Sequence, residues 1–187
     1  EIPEPVLAAA RARATARAAR AWPEADRLRA EIEAAGWKVV DRGTDFSLAP
    51  ARPPTVADPA GTRYGASDDV PSRLAERPSG LATVVIVGTD WAGDVDRAVS
   101  ATRANAPLGV SIVVVADAVP AAQDAALPPT ANDLELVRTS ERLGTAAAWN
   151  IGIRRSGAPV VVILDPSVEP TGDIVTPLAS ALDDPSV

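Results

Sequence analysis

No cysteine, histidine or methionine occurs anywhere in the chain. Without cysteine there is no disulfide frame, no thiolate nucleophile and no Cys zinc site. Without histidine there are no His-dependent triads, and the commonest general base is gone. Any metal site must be built from carboxylate and hydroxyl oxygens, which suits Mg²⁺ or Mn²⁺. Lysine occurs once, at Lys38, so positive charge is carried almost wholly by arginine, a skew that fits a GC-rich genome. Aromatic residues make up 3% of the chain and hydrophobic residues 47%, so the core must be aliphatic and rich in Ala and Val. The formal charge of -7 argues against nonspecific nucleic-acid binding, because no basic field is present to displace phosphate counterions. No signal-peptide pattern opens the sequence, and no apolar run approaches the ~20 residues of a membrane span. A cytoplasmic location is the default expectation.

The 187 residues allow one or two domains, and composition divides them into three zones. Residues 1–48 are rich in Ala, Arg and Glu. Ala8–Ala21 has high helix propensity and few large apolar side chains, so close packing through Ala10, Ala14, Ala18 and Ala21 is expected. Pro23 suits the first turn of a second helix. Ala25, Leu28, Ile32 and Ala35 form its apolar face, Arg27 and Glu31 an outer i,i+4 pair, and Gly36 its end. Trp37–Val40 and Asp45–Leu48 read as a β-hairpin turning at Asp41-Arg42-Gly43-Thr44. Residues 49–80 are rich in Pro, Ser, Asp and Gly, without periodicity, and read as an irregular linker pinned by Tyr64 and Val70. Asp68 and Asp69 are expected in solvent.

Residues 81–187 alternate β-branched runs with helical stretches. Strands are expected at Thr83–Val87, Val110–Ala116, Leu134–Arg138 and Val160–Leu164. Helices are expected near Gly93–Arg103, Ala121–Ala126, Thr145–Ser156 and Asp173–Leu182. Uniformly apolar strands separated by helices predict a mostly parallel, Rossmann-like α/β sheet with helices on both faces. In such sheets ligands bind beyond the carboxyl ends of the strands. Four points should therefore converge on one edge: Gly88-Thr89-Asp90, Ala116-Asp117, Thr139-Ser140 and Asp165-Pro166-Ser167. A redox dinucleotide enzyme would carry Gly-x-Gly-x-x-Gly after the first strand. Gly88-Thr-Asp-Trp-Ala-Gly93 keeps only the ends of that motif, and the class is rejected. No spacing of acids points to a glycoside hydrolase.

Four pieces in order carry a resemblance: Thr83–Val87, Ser111–Ala116 ending at Asp117, Arg142-Leu-Gly-Thr-Ala-Ala-Ala-Trp-Asn150-Ile-Gly-Ile153, and Pro159–Leu164 ending in Asp165-Pro166-Ser167. The series resembles the first half of a family 2 glycosyltransferase of the GT-A type, over roughly residues 82–187. The resemblance implies a nucleoside-diphospho-sugar donor and an unknown acceptor. Thr89 and Asp90 then hydrogen-bond a base or ribose; the alternative is a turn, with Asp94 at the next helix terminus. Asp117 stands for the second of two family acids, Ala116 replacing the first. It would accept from a base N–H or a ribose hydroxyl, or else cap a loop. Gly144 would let a helix N-terminus approach the diphosphate, with Ala146, Ala147 and Ala148 keeping the approach open. Asn150, on the face shared by Ala146 and Ile153, needs a partner in a loop or in the ligand. Many family members have a basic residue just before this Asn; here it is Trp149. Arg142 is a possible substitute or simply a surface residue.

The resembled enzymes close the fourth strand with Asp-x-Asp, whose last acid holds Mg²⁺ or Mn²⁺ against the diphosphate. Here Asp165 matches the first acid and Ser167 replaces the last. Glu169 could supply the missing charge, as could Asp173, which could equally cap the following helix. An altered metal site of Asp165 and Glu169, a metal-free enzyme and a noncatalytic relative all remain open. The resemblance places the catalytic base in an acceptor half outside this chain, so none is named. Separately, Ala12–Asp41, with Arg17, Trp22, Ala25-Asp26, Leu28-Arg29, Gly36 and Val40-Asp41, is similar to the C-terminal helical tail of cysteinyl-tRNA synthetases. That similarity implies two helices and a short hairpin. A tRNA-associated adaptor is the reading least compatible with the acidic charge. The opening Glu1 and a new strand expected to start near 183–187 predict an internal fragment of a longer protein.

Overall fold

The computed structural model describes residues 2–42, 45–59 and 61–182. Part of the turn expected at 41–44, and the strand start expected at 183–187, lie outside the described residues. The chain divides into two compact units, Glu1–Pro53 and Pro54–Val187.

The first unit pairs helices α1 (Glu4–Ala18) and α2 (Trp22–Ala34) with an antiparallel hairpin, β1 (Trp37–Arg42) and β2 (Asp45–Pro50). Pro5 and Pro23 each sit in a first helical turn, where a missing N–H loses no hydrogen bond. α1 begins earlier than expected and stops at Ala18, because Arg20 adopts a left-handed φ of 57°. The Ala21 N–H then reaches back to the Ala16 carbonyl at 2.8 Å. This is the helix-ending geometry usually given to glycine. The packing face is also corrected. Ala18 and Ala21 are exposed, and the buried face is Val6, Ala9, Ala10, Arg13 and Ala16. On α2, Ala25, Leu28 and Ile32 are buried as expected, while Ala35 is exposed at the helix end. Leu28 and Ile32 complete a small core with Trp37, Val39, Phe46 and Leu48. Arg27 bonds Glu31 at 3.1 Å and Glu24 at 2.8 Å.

The polar member of the α1 face has a clear cause. Arg13 bonds both oxygens of Asp41 at 2.9 and 3.1 Å, and Arg17 bonds the same carboxylate. A buried cation is tolerated only when paired in this way.

The second unit is a doubly wound α/β sheet in the order β3-β4-β7-β6-β5-β8. β5 (Ala82–Gly88), β6 (Val110–Ala116), β7 (Leu134–Thr139) and β8 (Val160–Leu164) run parallel. Most of their Val and Ile residues are buried or half-buried, alternately toward α3 (Ala92–Asn105) and α5 (Thr145–Arg155), with Ile163 of β8 exposed. Val84, Ile86 and Val114 face Val95, Ala98 and Val99. Val85, Val113 and Val115 face Ala148 and Ile151. Burial on both faces is why these strands read as continuous apolar runs. Two shorter helices, α4 (Ala121–Asp124) and α6 (Val175–Ala181), complete the unit.

The linker expected over 49–80 is corrected in its middle. β3 (Val56–Asp58) and β4 (Gly61–Tyr64) form a hairpin, and β4 joins β7 in parallel. Neither strand is long enough to show a period; pairing with a strand far along the chain makes them. Tyr64 and Val70 pack into the α5-side core as expected. Asp69 is half-buried and accepts from Thr55 Oγ1 at 2.7 Å, so only Asp68 is exposed as expected. Arg63 binds Asp58 at 2.6 Å, and Arg138 binds Asp124 at 2.9 Å.

Two tests follow from packing and charge. A Cβ on Gly152 of α5 would sit 2.2 Å from Val85 Cγ1. Gly152→Ala should therefore lower stability by about 1–2 kcal/mol in urea unfolding, overpacking exceeding the gain in helix propensity. The Arg13 hydrogen bond, reinforced by Arg17, outweighs desolvation and lowers the Asp41 carboxyl from 3.8 to about 2. A depressed carboxyl stabilises the fold above its unfolded pKa, and that contribution fades as pH falls through the folded one. Asp41→Asn should therefore melt earlier than wild type at pH 7. The gap, followed by circular dichroism, should close between about pH 4 and pH 2.

Candidate functional site

The chain runs outward from β5 through β6 to β7, then returns to place β8 on the other side of β5. The sheet thus changes direction between β5 and β8, and open α/β sheets bind ligands at such a reversal, beyond the carboxyl ends of the strands. A cleft of about 370 Å³ lies there, lined by Val87, Thr89, Thr145, Trp149, Ile163, Leu164, Asp165 and Pro166. Its walls come from the end of β5, the end of β8 and the first turns of α5.

Of the residues expected to bind a nucleotide-sugar, Thr89 and Asp165 share this cleft. Asp165 is exposed, and its Oδ1 accepts from the Ser167 N–H at 2.9 Å and the Ser167 hydroxyl at 2.6 Å. The hydroxyl bond, with the N–H bond behind it, holds the Asp165 carboxyl below its ordinary value, so the group is ionised at neutral pH. Among the described residues no donor reaches its Oδ2. Asp90 accepts from Arg142 at 2.7 Å in an exposed pair joining the loops after β5 and β7.

Asp117 has a different position from the one expected of a base-reading acid. It is fully buried. Its Oδ1 accepts from the Leu143 N–H at 2.8 Å and the Thr139 hydroxyl at 3.0 Å, and its Oδ2 from the Gly144 N–H at 2.9 Å. The carboxylate serves the loop that launches α5. Gly144 caps that helix with φ 90°, a backbone geometry costly for residues with a Cβ. Its N–H is given to Asp117 rather than left for a diphosphate.

Asn150 is exposed and meets no hydrogen-bonding partner among the described residues. The buried face of α5 is Ala148, Ile151 and Gly152. Water can therefore satisfy Asn150, and the expected need for a loop or ligand partner is removed. Glu169 is bound by Arg97 at 3.0 Å, and Arg97 also holds Asp94. Asp173 caps the start of α6, accepting from the Val175 and Thr176 N–H groups at 2.9 and 3.0 Å. Of the metal candidates, then, Asp165 lies in the cleft, Glu169 is engaged by an arginine and Asp173 by a helix. No three acidic residues cluster as a metal site among the described residues.

Trp149, Thr145 and Ile163 were not singled out as site residues from sequence, whereas Thr139, expected at this edge, donates its hydroxyl to Asp117. Trp149 carried a signal that could have found it: a large aromatic side chain following three alanines, in a chain with four tryptophans. A hollow of about 350 Å³ at the opposite edge of the sheet is lined by Arg73, Asp133, Glu135 and Arg155. Its charges are consumed by the pairs Arg155–Glu135 at 2.7 Å, Arg103–Asp133 at 2.6 Å and Arg73–Glu76 at 3.0 Å.

Compared with known proteins, the chain matches no protein-family model and no curated protein.

The Asp117 geometry predicts that Asp117→Ala will act first on stability. Hydrogen bonds to a charged group are worth about 1.5–3 kcal/mol each, and the variant strands two backbone donors. Urea unfolding should show a loss of at least that size. Asp117→Asn should fall between the variant and wild type.

Proposed function

We propose that residues 81–187 are the nucleotide-sugar-binding half of a GT-A-type glycosyltransferase, which moves a sugar from a nucleoside-diphospho-sugar to an acceptor. The observation that carries this reading is the cleft at the β5/β8 reversal, with Thr89 and Asp165 on its wall. The reading is further supported by the parallel strands β7, β6, β5 and β8, whose carboxyl ends meet at one edge of the sheet. In it, Thr89, Thr145 and Asp165 hold and orient the donor by hydrogen bonds. A cytoplasmic site of action belongs to the proposal; no described helix is long and apolar enough to cross a membrane.

A second reading keeps donor binding and drops transfer. It is favoured by the engagement of Glu169 with Arg97 and by Ser167 at the place of the second acid. Mg²⁺ or Mn²⁺ would then find one cleft carboxylate, and a hard cation held by one protein carboxylate relies on the diphosphate for its remaining ligands.

Calorimetric titration of UDP-, GDP- and dTDP-sugars, with Mn²⁺ and again with EDTA, tests both readings. Binding of one nucleotide class, weakened at least tenfold by Asp165→Ala, is the expected outcome. If EDTA abolishes it and Glu169→Ala weakens it, the metal-dependent transferase is supported. Binding indifferent to EDTA points to a metal-free pocket. No binding of any nucleotide-sugar overturns the proposal.

A further inference from the structure

Resting on that reading, we infer that Trp149 is the ring-stacking wall of the cleft, which seats one neutral, hydroxylated ring and leaves the donor's phosphates outside. Three observations converge on this. First, the lining has an aromatic and aliphatic side, formed by Val87, Trp149, Ile163, Leu164 and Pro166, and a polar side, formed by Thr89, Thr145 and Asp165. A furanose or pyranose ring has the matching division, with C–H groups on its faces and hydroxyls at its rim. Tryptophan offers a flat apolar surface of the right kind.

Second, the charge of the lining is wrong for phosphate. Asp165 is its one ionisable residue. Arg142, the cation on the neighbouring loop, is bound to Asp90. An anionic group entering the cleft would meet a carboxylate and no cation. The Oδ2 of Asp165 is instead well placed to accept from ring hydroxyls, since its Oδ1 already takes both Ser167 donors.

Third, size and exposure fit. Ligand clefts run from about 300 to 1,000 Å³, so about 370 Å³ suits a ring with its substituents rather than a whole nucleotide-sugar. Trp149 is 40% exposed and Ile163 44% exposed. Both are large apolar side chains left uncovered at the cleft, while on the same face of the sheet Val85, Val113, Val115 and Val137 are buried and Val87 and Val161 partly buried.

The ring has two possible sources, the ribose end of the nucleotide and the transferred hexose. The test uses the full chain and titrates uridine, free glucose, galactose and mannose, and the UDP-sugars, into wild type, Trp149→Phe and Trp149→Ala. The indole N–H resonance of Trp149, assigned by its loss in Trp149→Phe, provides a readout independent of affinity. Trp149→Ala should weaken binding roughly tenfold or more, with Trp149→Phe close to wild type. The indole resonance should shift on ligand addition. Uridine alone reproducing the shift assigns the ribose; a free hexose reproducing it assigns the sugar. A hexose response without any nucleotide-sugar binding keeps this inference and overturns the donor reading. Nucleotide-sugar binding that is equal in Trp149→Ala, with an unmoved indole resonance, keeps the donor reading and overturns this inference. Failure of every ligand to bind overturns both.

Discussion

The buried carboxylate of Asp117 is the interaction on which the functional edge depends. It sits at the end of β6 and draws in the Thr139 hydroxyl from β7 and two successive N–H groups at Leu143 and Gly144. A buried anion needs compensation, and here it comes from three hydrogen bonds and the positive end of α5. The direction of α5 follows from that anchorage. Gly144 takes the positive φ that turns the loop into the helix. Gly152 then lets the helix lie directly on Val85. With the helix seated there, Thr145 and Trp149 reach the cleft between β5 and β8. The cleft is therefore shaped from behind, by a residue that does not line it.

Charge is distributed on a similar logic. The chain holds most of its arginines in local pairs: Arg97 with Asp94 and Glu169, Arg103 with Asp133, Arg155 with Glu135, Arg142 with Asp90. Several of these pairs are exposed and contribute little stability. Cations already engaged by carboxylates attract anions weakly, so the cleft presents a carboxylate and an aromatic face rather than a basic pocket.

Much of the fold was legible because its strands are buried on both faces. β5, β6 and β8 each appear in the sequence as a short β-branched run bounded by turn residues, a pattern that parallel sheets produce, and β7 as the shorter apolar series Leu134, Leu136 and Val137. β3 and β4 were not legible. They are three and four residues long, and β4 becomes part of the main sheet by pairing with β7, far along the chain. The site was legible as a location but not as a set of contacts. The edge where Thr89 and Asp165 meet follows from connectivity. The use of Asp117, by contrast, is decided by N–H groups more than twenty residues away, and that of Glu169 by an arginine on α3. Asn150 shows how fine the margin is on a helix. A shift of one position exposes it and places its neighbours Trp149 and Ile151 in the cleft and in the core respectively.

The strength of the sheet is unevenly distributed along its width. β5 pairs with β6 along its whole length, from Ala82 to Gly88, whereas β4 meets β7 only at Arg63 and Tyr64. Backbone segments held by few ladder bonds open more often than the centre of a sheet. The β3–β4 margin is therefore held by few ladder bonds, with Tyr64 in the α5-side core and the Ser140 N–H on the Tyr64 carbonyl at 3.0 Å adding to them, while the cleft lies at the far side beside β8. The most lightly paired strand and the candidate cleft thus occupy opposite margins of the same sheet, so a change that loosens one acts far from the walls of the other.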